Sequence, residues 1–261
     1  MFDFHMHSHV SFDGHDTGLN MAKAAAAAGL KEICFTDHRD YDPFDPDHKL
    51  QFDFLHYNKE YGELEIPGLK IRKGFEFGML PDNREQFQKD IALRNWDFVI
   101  GSVHFVDGLD VYFSEYWEGK TPYYAILRSF EDTLTCVKNH DDFDVLGHLT
   151  YLGKCDANPE KKPILYKDYR ELADEIMKVL VQKGKGMEIN TSGVDRCNAY
   201  LPDTSYLRRF KELGGEIVTV GSDAHHADRV GQYCREAVQI VQDIFGHVCT
   251  FAERKPVFHT R

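Results

Sequence analysis

Short apolar segments recur along the chain, and longer amphipathic segments separate them. The short segments are rich in Val, Ile, Phe and Leu and are bounded by Gly, Pro or Asp, which is typical of β-strands. One of them, 98–103, is apolar almost throughout, as expected of a parallel strand that is buried on both faces. The pattern predicts strands at residues 2–7, 32–36, 69–75, 98–103, 143–147, 186–190 and 217–221.

The longer segments between these strands predict helices. The first is rich in Ala, which favours close packing against a sheet, and Gly29 follows it as a C-terminal cap. The residues after 245 predict only a short tail. The predicted helices span residues 21–28, 50–61, 83–94, 122–139, 166–182, 203–213 and 231–245.

The segment 105–119 is aromatic and acidic, and it predicts a long loop over the rim of the fold. It contains Tyr112, Phe113, Tyr116 and Trp117. Two roles are open for these side chains: they line a substrate pocket, or they pack together as in an ordinary loop.

Strands and helices alternate along residues 1–261 without a linker, which favours a single α/β domain. A parallel β/α barrel is the favoured architecture, and a doubly wound open sheet is the alternative. The barrel is favoured because His, Asp or Glu follows nearly every predicted strand. Only a closed barrel brings all of those strand ends within reach of one centre.

The first predicted strand carries His5 and His7 two positions apart. Side chains with this spacing project from the same side of a strand, so the two imidazoles converge as ligands of a transition metal do. The alternative is a flexible N-terminal His-X-His without a partner. The later strands favour the metal site, because nearly every one of them ends in or is followed by His, Asp or Glu.

Seven further residues extend this candidate metal centre. Asp13 lies in a turn that can fold back over His7, and the other six follow or end predicted strands. Imidazole and carboxylate together suit zinc, manganese or iron, and nine ligands exceed what one ion needs, so two or three divalent ions are expected. The complete candidate set is His5, His7, Asp13, His38, Glu76, His104, His148, Asp223 and His225.

Composition narrows the classes of function. The chain has 42% hydrophobic residues and a net charge of -12, which argues against binding of nucleic acid or of an anionic membrane surface. Its six cysteines include no C-x-x-C pair and predict reduced thiols in the cytoplasm. No signal peptide precedes the first strand, and no apolar run is long enough to span a membrane. The sequence carries no readable signal of oligomeric state.

The ordered motifs resemble the PHP (polymerase and histidinol phosphatase) superfamily, and within it the histidinol-phosphate phosphatase branch. The resemblance spans nearly the whole chain. Its motifs are His5-Met6-His7, Thr36-Asp37-His38, Glu76, Gly101-Ser102-Val103-His104-Phe105, Gly147-His148, Glu188-Ile189-Asn190-Thr191-Ser192-Gly193 and Gly221-Ser222-Asp223-Ala224-His225.

This resemblance implies a distorted (β/α)7 barrel with a trinuclear metal centre. Many relatives have Asp at the position of Thr150, and some have His at the position of Asp13. By resemblance, His5, His7, Glu76 and Asp223 hold the first ion, Glu76, His104 and His148 hold the second, and Asp13, His38 and His225 hold the third.

The implied activity is hydrolysis of L-histidinol phosphate to L-histidinol and phosphate, a step of histidine biosynthesis, by attack of a metal-bridging hydroxide. Asp223 and His225 are the candidates that pass a proton to the leaving group. The candidate phosphate clamps are Arg196, Arg229 and Arg39, in that order, because guanidinium matches phosphate bidentately. The acidic residues Asp40, Asp42, Asp45 and Glu115 are candidates for attracting the substrate's amine.

Two alternatives stay open at this point. In the first, the same chemistry acts on another small phosphate ester or a nucleotide. In the second, the chain is a non-catalytic module that metal ions stabilise. Retention of all nine ligand-type residues favours an enzyme over the module.

Overall fold

The structure, a computed structural model, describes residues 1–42, 47 and 49–261. The strands in this part of the chain are β1 (Phe2–Asp3), β2 (Glu32–Phe35), β3 (His38–Arg39), β4 (Lys70–Gly78), β5 (Phe98–Ser102), β6 (Phe105–Val106), β7 (Leu109–Asp110), β8 (Val145–Leu146), β9 (Gly186–Asn190), β10 (Val218–Gly221), β11 (His247–Ala252) and β12 (Lys255–Thr260). The helices are α1 (Gly18–Ala27), α2 (Phe54–Tyr61), α3 (Arg84–Ala92), α4 (Ser114–Trp117), α5 (Pro122–Asn139), α6 (Arg170–Gln182), α7 (Val194–Cys197), α8 (Thr204–Glu212) and α9 (Cys234–Phe245).

A parallel sheet forms the centre of the protein, in the strand order β1, β2, β4, β5, β8, β9, β10. Its two outer strands also meet. The amide of Phe4 donates to the carbonyl of Val220 at 2.9 Å, and the amide of Asp223 donates to the carbonyl of His5 at 2.8 Å. The sheet is therefore nearly closed into a barrel, which confirms the predicted β/α barrel and makes the open-sheet alternative wrong.

Local sequence determines where the helices begin. The side chains of Thr17 and Thr121 accept hydrogen bonds from backbone amides in the first turns of α1 and α5. Pro122 occupies the first turn of α5, where the amide it lacks has no intrahelical partner. Asp53 caps α2 in the same way, so this helix begins at Phe54 rather than at residue 50 as predicted.

The core lies between the barrel and the helices that surround it. α1 buries Met21, Ala22 and Ala25, and its small side chains allow the close packing predicted from the sequence. β5 is buried at every position, as expected of a parallel strand with both faces covered. Among the described residues, no helix combines the length and apolar character that a membrane span requires.

Two of the candidate ligands lie within strands rather than after them. β4 runs to Gly78, so Glu76 is inside this strand, and His38 lies in β3. These two residues are register partners in the parallel pair of β3 and β4. The strand extension therefore places them side by side at the carboxyl end of the sheet.

The segment 105–119 is more structured than the predicted loop. It contains an antiparallel pair, β6 and β7, followed by the short helix α4. Tyr116 and Trp117 are buried in the core, where the Trp117 indole donates to the carbonyl of Val111 at 2.9 Å. Tyr116 and Trp117, two of the four aromatic residues named for this segment, therefore pack in the core rather than line a pocket.

The predicted short tail is wrong, because the chain ends in an antiparallel hairpin of β11 and β12. Phe251 of β11 is buried against Phe98, with ring centroids 4.9 Å apart, in a small apolar cluster that also contains Phe4. The amide of Arg254 donates to the carbonyl of Asp97, which directly precedes β5. The hairpin therefore covers the end of the barrel opposite to the candidate site.

Candidate metal centre

All nine candidate ligands lie together at the carboxyl ends of the barrel strands. The first two converge as the spacing predicts, with Nε2 of His5 3.1 Å from Nε2 of His7. Oδ1 of Asp223 lies 3.7 Å from Nε2 of His5 and 3.4 Å from Nε2 of His7. These three residues form one group of potential metal ligands, and all of them are buried.

Glu76 stands at the centre of the cluster and is fully buried. Its Oε2 atom lies 3.2 Å from Nε2 of His5 and 3.5 Å from Nε2 of His7. Its Oε1 atom lies 2.8 Å from Nε2 of His148 and 3.4 Å from Nε2 of His104. Oε2 also lies 3.2 Å from Nδ1 of His38. The two carboxylate oxygens therefore face different sets of imidazoles, as those of a carboxylate that bridges two ions do.

The third group lies towards the opening of the barrel. Oδ2 of Asp13 is 3.0 Å from Nε2 of His225 and 3.6 Å from Nε2 of His38. The ring of His7 stacks on both imidazoles, with centroids 4.2 Å from His225 and 4.3 Å from His38. The turn that carries Asp13 thus folds back over His7, as the sequence predicts.

The donor atoms fit divalent metal ions. Two ligands about 2 Å from one tetrahedral ion lie about 3.3 Å apart, and the carboxylate–imidazole distances in the cluster scatter around that value. Oε2 of Glu76 and Oδ1 of Asp13 are also buried without a hydrogen-bond partner among the described residues. Buried acceptors normally find a donor, so a cation is the partner these atoms lack.

Electrostatics keeps the carboxylates ionised. Burial alone would raise the pKa of Glu76, but the imidazoles of His5, His104 and His38 outweigh it and hold that pKa well below its usual range. For Asp223, burial is likewise outweighed, here by Lys154 and His5, and its pKa is also well below the usual range. Ionised carboxylates are the form that binds metal.

A second set of side chains orients the imidazoles. Nδ1 of His5 lies 2.7 Å from Oε1 of Glu188, and Nδ1 of His104 lies 3.1 Å from both oxygens of Asp40. Nδ1 of His7 lies 3.1 Å from Oγ of Ser11. Such contacts fix the ring so that Nε2 faces the cluster, and carboxylate partners also make the ring a stronger ligand.

Sequence reasoning missed these orienting roles. Glu188 appeared there only as part of a motif, and Asp40 was a candidate for binding the substrate's amine. The structure instead places Asp40 against two imidazoles, since its Oδ2 is also 3.3 Å from Nδ1 of His38. The available signal was a carboxylate between two apolar residues of a buried strand, as Glu188 is between Met187 and Ile189 in β9.

Glycine at the end of β10 makes room for this arrangement. A Cβ atom on Gly221 would overlap Cβ of His5 and Oε1 of Glu188. Any larger residue would therefore push the imidazole away from its carboxylate partner.

A cavity of about 450 Å³ opens over the cluster. Tyr112 and Phe113 line it, so this part of the aromatic segment does reach the predicted pocket. Its cationic lining residues are Lys154, Arg196 and Arg229. The cavity is large enough for a small phosphate ester.

Two of the three candidate arginines lie at this cavity. Nη1 of Arg196 lies 3.0 Å from Oδ1 of Asp156, and Nη1 of Arg229 lies 3.1 Å from Oδ2 of Asp195. Arg39 does not line it. Its guanidinium is buried and forms an ion pair with Asp90, with Nε 2.8 Å from Oδ2. Arg39 therefore lies away from the cavity in which it was predicted to bind phosphate.

Lys154 is the lysine or arginine that lies nearest to the cluster among the described residues, and no sequence motif pointed to it. Its Nζ donates to Oδ2 of Asp223 at 2.6 Å and to Oγ of Ser192 at 2.7 Å. It follows a short 3-10 helix that begins after Thr150. Thr150, the position at which many relatives have Asp, therefore lies only a few residues before Lys154 in the chain.

Not all of the acidic residues that were predicted to attract the substrate's amine lie at the cavity. Glu115 is exposed on α4 and does not line the cavity, whereas Asp110, which was not a candidate, does. Asp45 lies outside the described residues. Burial raises the pKa of Asp110.

Comparisons with known proteins place this chain in a family and give it named relatives. The family model described as "PHP domain" matches residues 3–192. A histidinol-phosphatase of Lactococcus lactis is 31% identical over 258 residues, covering 97% of this chain and 95% of the relative. A probable histidinol-phosphatase of Clostridium acetobutylicum is 29% identical, covering 99% of this chain and 96% of the relative.

The fold also matches a solved structure of this kind. A crystal structure of histidinol phosphate phosphatase from Lactococcus lactis, complexed with zinc, L-histidinol and phosphate, superposes with a TM-score of 0.87. It is 29% identical and covers 98% of both chains. The resemblance predicted from the motifs is confirmed.

Proposed function

This chain belongs to the PHP domain family, and we propose that it is a metal-dependent phosphomonoesterase that hydrolyses L-histidinol phosphate to L-histidinol and phosphate. The observation that carries the proposal is the cluster of nine imidazole and carboxylate ligands, seven of them buried, beside a cavity with three cations. Similarity to an enzyme complexed with zinc, L-histidinol and phosphate supports the choice of substrate.

Two or three divalent ions, zinc, manganese or iron, are the proposed cofactors. Bound ions of this class lower the pKa of water and neutralise phosphoryl oxygens and the leaving group. His5, His7, Glu76 and Asp223 would hold the first ion, Glu76, His104 and His148 the second, and Asp13, His38 and His225 the third. Distances of 2.8 to 3.7 Å between imidazole nitrogens and carboxylate oxygens support these three sets.

The cationic lining of the cavity binds the phosphate. Lys154 sits beside the cluster, while Arg196 and Arg229 lie farther out in the lining, where each is held by one aspartate. A guanidinium can exchange an exposed carboxylate for phosphate because both present two anionic oxygen acceptors that its paired N–H donors can bind.

Protein side chains are also proposed to deliver the proton to the leaving group and to bind the substrate's amine. The leaving alkoxide takes up a proton, and we assign its delivery to Asp223 and His225, which line the cavity next to the cluster. Because Asp223 is ionised, it would pass on a proton that it first accepts from the attacking water. Asp110 is the proposed partner of the substrate ammonium, since its carboxylate lies in the same lining.

The state of the cysteines and the net charge support a cytoplasmic location and a small-molecule partner. All six cysteines are free and buried, which suits the reducing cytoplasm where amino-acid biosynthesis takes place. The net charge of -12 favours a small phosphate ester over nucleic acid or an anionic membrane as the partner.

Steady-state hydrolysis of a panel of phosphate esters tests the substrate. We expect kcat/KM for L-histidinol phosphate to exceed that for a generic aryl phosphate, a sugar phosphate and a nucleoside monophosphate by at least about 100-fold, because only this substrate uses both the phosphate and the amine contacts. A higher kcat/KM for another ester would show that the substrate assignment is wrong, while the assignment as a phosphatase would hold. No release from any ester by the metal-loaded protein would favour the non-catalytic module.

A further inference from the structure

A second group of potential metal ligands lies outside the catalytic cluster. It consists of His9, in the loop between β1 and α1, and of His56 and Glu60 on α2. One ligand atom from each residue lies within 4.8 Å of the others. None of the three lines the cavity over the catalytic cluster.

The helix supplies two of these ligands in a regular way. His56 and Glu60 are four residues apart on α2, and side chains with this spacing lie on the same face of a helix. The imidazole of His9 approaches this face from the loop, with its ring centroid 5.2 Å from that of His56. The three side chains therefore come from two separate elements and meet at one point.

The contact between His9 and Glu60 has the geometry of ligands that share an ion. Nε2 of His9 lies 3.1 Å from Oε2 of Glu60, close to the spacing of about 3.3 Å expected around a tetrahedral metal. The pair is nevertheless not hydrogen-bonded, because Nε2 of His9 is a buried atom without a hydrogen-bond partner among the described residues. A nitrogen beside a carboxylate, without a hydrogen bond to it, is available to coordinate a cation.

The surroundings hold two of the ligands in place and leave the third free to adjust. Oε1 of Glu60 accepts a hydrogen bond from the backbone amide of Gly18 at 2.6 Å, so its Oε2 stays directed at His9. The amide of His9 donates to the carbonyl of Asp16 at 2.8 Å, which fixes the loop. His56 is exposed and can rotate to complete the site.

We infer that His9, His56 and Glu60 form a surface site for one zinc-class divalent ion, separate from the catalytic centre. Two imidazoles and one carboxylate are a common ligand set for zinc, with water as the fourth ligand. An ion bound here ties the loop between β1 and α1 to α2. The same loop carries Asp13 of the catalytic cluster, so the site stabilises the loop from its outer side.

Counting zinc ions tests the site directly. Protein whose catalytic centre is already loaded is equilibrated at a series of buffered free zinc concentrations, and zinc per chain is measured. We expect the wild-type protein to hold one ion more than His56→Ala and Glu60→Gln at the same free zinc. His247→Ala, which removes a histidine outside the group, is the matched control and should behave as the wild type.

Activity and amide exchange complete the test. His56→Ala should keep the wild-type turnover of the metal-loaded enzyme, and zinc should slow amide exchange in residues 8–17 of the wild type but not of this variant. Equal zinc content in the wild type and His56→Ala at every free zinc concentration would overturn the inference. Loss of turnover in loaded His56→Ala would overturn the claim that the site is separate.

Discussion

The ammonium of Lys154 lies 2.6 Å from Oδ2 of Asp223, while Oδ1 of the same carboxylate faces the imidazoles of His5 and His7. The two oxygens of one carboxylate thus serve two different partners. Lys154 fixes the orientation of Asp223 and adds a positive charge at the edge of the cavity that we propose binds phosphate. This contact links the metal cluster to the substrate side of the site.

Replacing Lys154 should impair catalysis strongly. Lys154→Met keeps the length of the side chain and removes its charge, and we expect kcat/KM for L-histidinol phosphate to fall about 100-fold or more, the usual cost of losing one fixed positive donor in an active site. Lys154→Arg should restore part of the loss. Lys178→Met, on the exposed face of α6, is the control and should leave kcat/KM unchanged. Similar kcat/KM values for Lys154→Met and Lys178→Met would show that Lys154 has no role in the reaction.

The orienting carboxylate Asp40 should govern metal affinity rather than metal number. Asp40→Asn removes the charge that faces Nδ1 of His104 and of His38, and we expect the metal dissociation constant to rise about 10- to 100-fold. Competition with a chromophoric chelator measures this constant. Glu115→Gln, at an exposed position on α4, is the matched control. Unchanged affinity in Asp40→Asn would show that the contact does not support the ligands.

The clustering of the candidate ligands could be predicted from the sequence because local rules determine where these residues lie. Parallel strands of a barrel bring their carboxyl ends to one rim, so a His or Asp after each strand is enough to locate the cluster. Arg39 follows the same pattern and still lies elsewhere, because its side chain pairs with Asp90, a residue that is distant in sequence. The direction of one side chain depends on partners that no local pattern identifies.

The orienting residues and the hairpin could not be predicted for a similar reason. Glu188 acts through a contact with His5, 183 positions away. The hairpin of β11 and β12 buries Phe251 against residues from the barrel, and the need to cover that end exists only once the barrel has closed. Both features depend on tertiary packing rather than on periodicity.

The C-terminal hairpin should contribute substantially to stability. Phe251→Ala removes a ring that is only 2% exposed and packs against Phe98, and we expect the free energy of unfolding to fall by about 3–5 kcal/mol. Urea denaturation measures the change. Phe258→Ala, on β12 and 47% exposed, is the control and should cost much less. Equal losses in the two variants would contradict the packing role assigned to β11.

Asp37 should make the stability of the metal-free protein depend on pH. Burial raises the pKa of this carboxyl from 3.8 to about 6, although hydrogen bonds from Tyr61, Ser8 and Ser11 oppose the shift. The folded state therefore binds this proton more tightly than the unfolded state, and ionisation between about pH 4 and pH 6 destabilises the fold. The shift corresponds to about 3 kcal/mol.

Comparison with Asp37→Asn isolates this effect. With chelator present, the wild type should lose about 2 kcal/mol relative to the variant as the pH rises from 4 to 7, because the unfolded carboxyl is already partly ionised at pH 4. Urea denaturation at each pH measures this loss. A difference that stays constant over this range would show that Asp37 titrates normally in the folded protein.

Metal-dependent release of phosphate from L-histidinol phosphate tests the central claim most directly. The protein is stripped with chelator, reloaded with zinc or manganese, and assayed beside reloaded Glu76→Gln and His104→Ala, with metal content measured in parallel. We expect rapid turnover only after reloading, with loss of bound metal and of turnover in both variants, because Glu76 faces two of the proposed ions and His104 one. Full turnover by the stripped protein, or by Glu76→Gln lacking metal, would contradict the central claim.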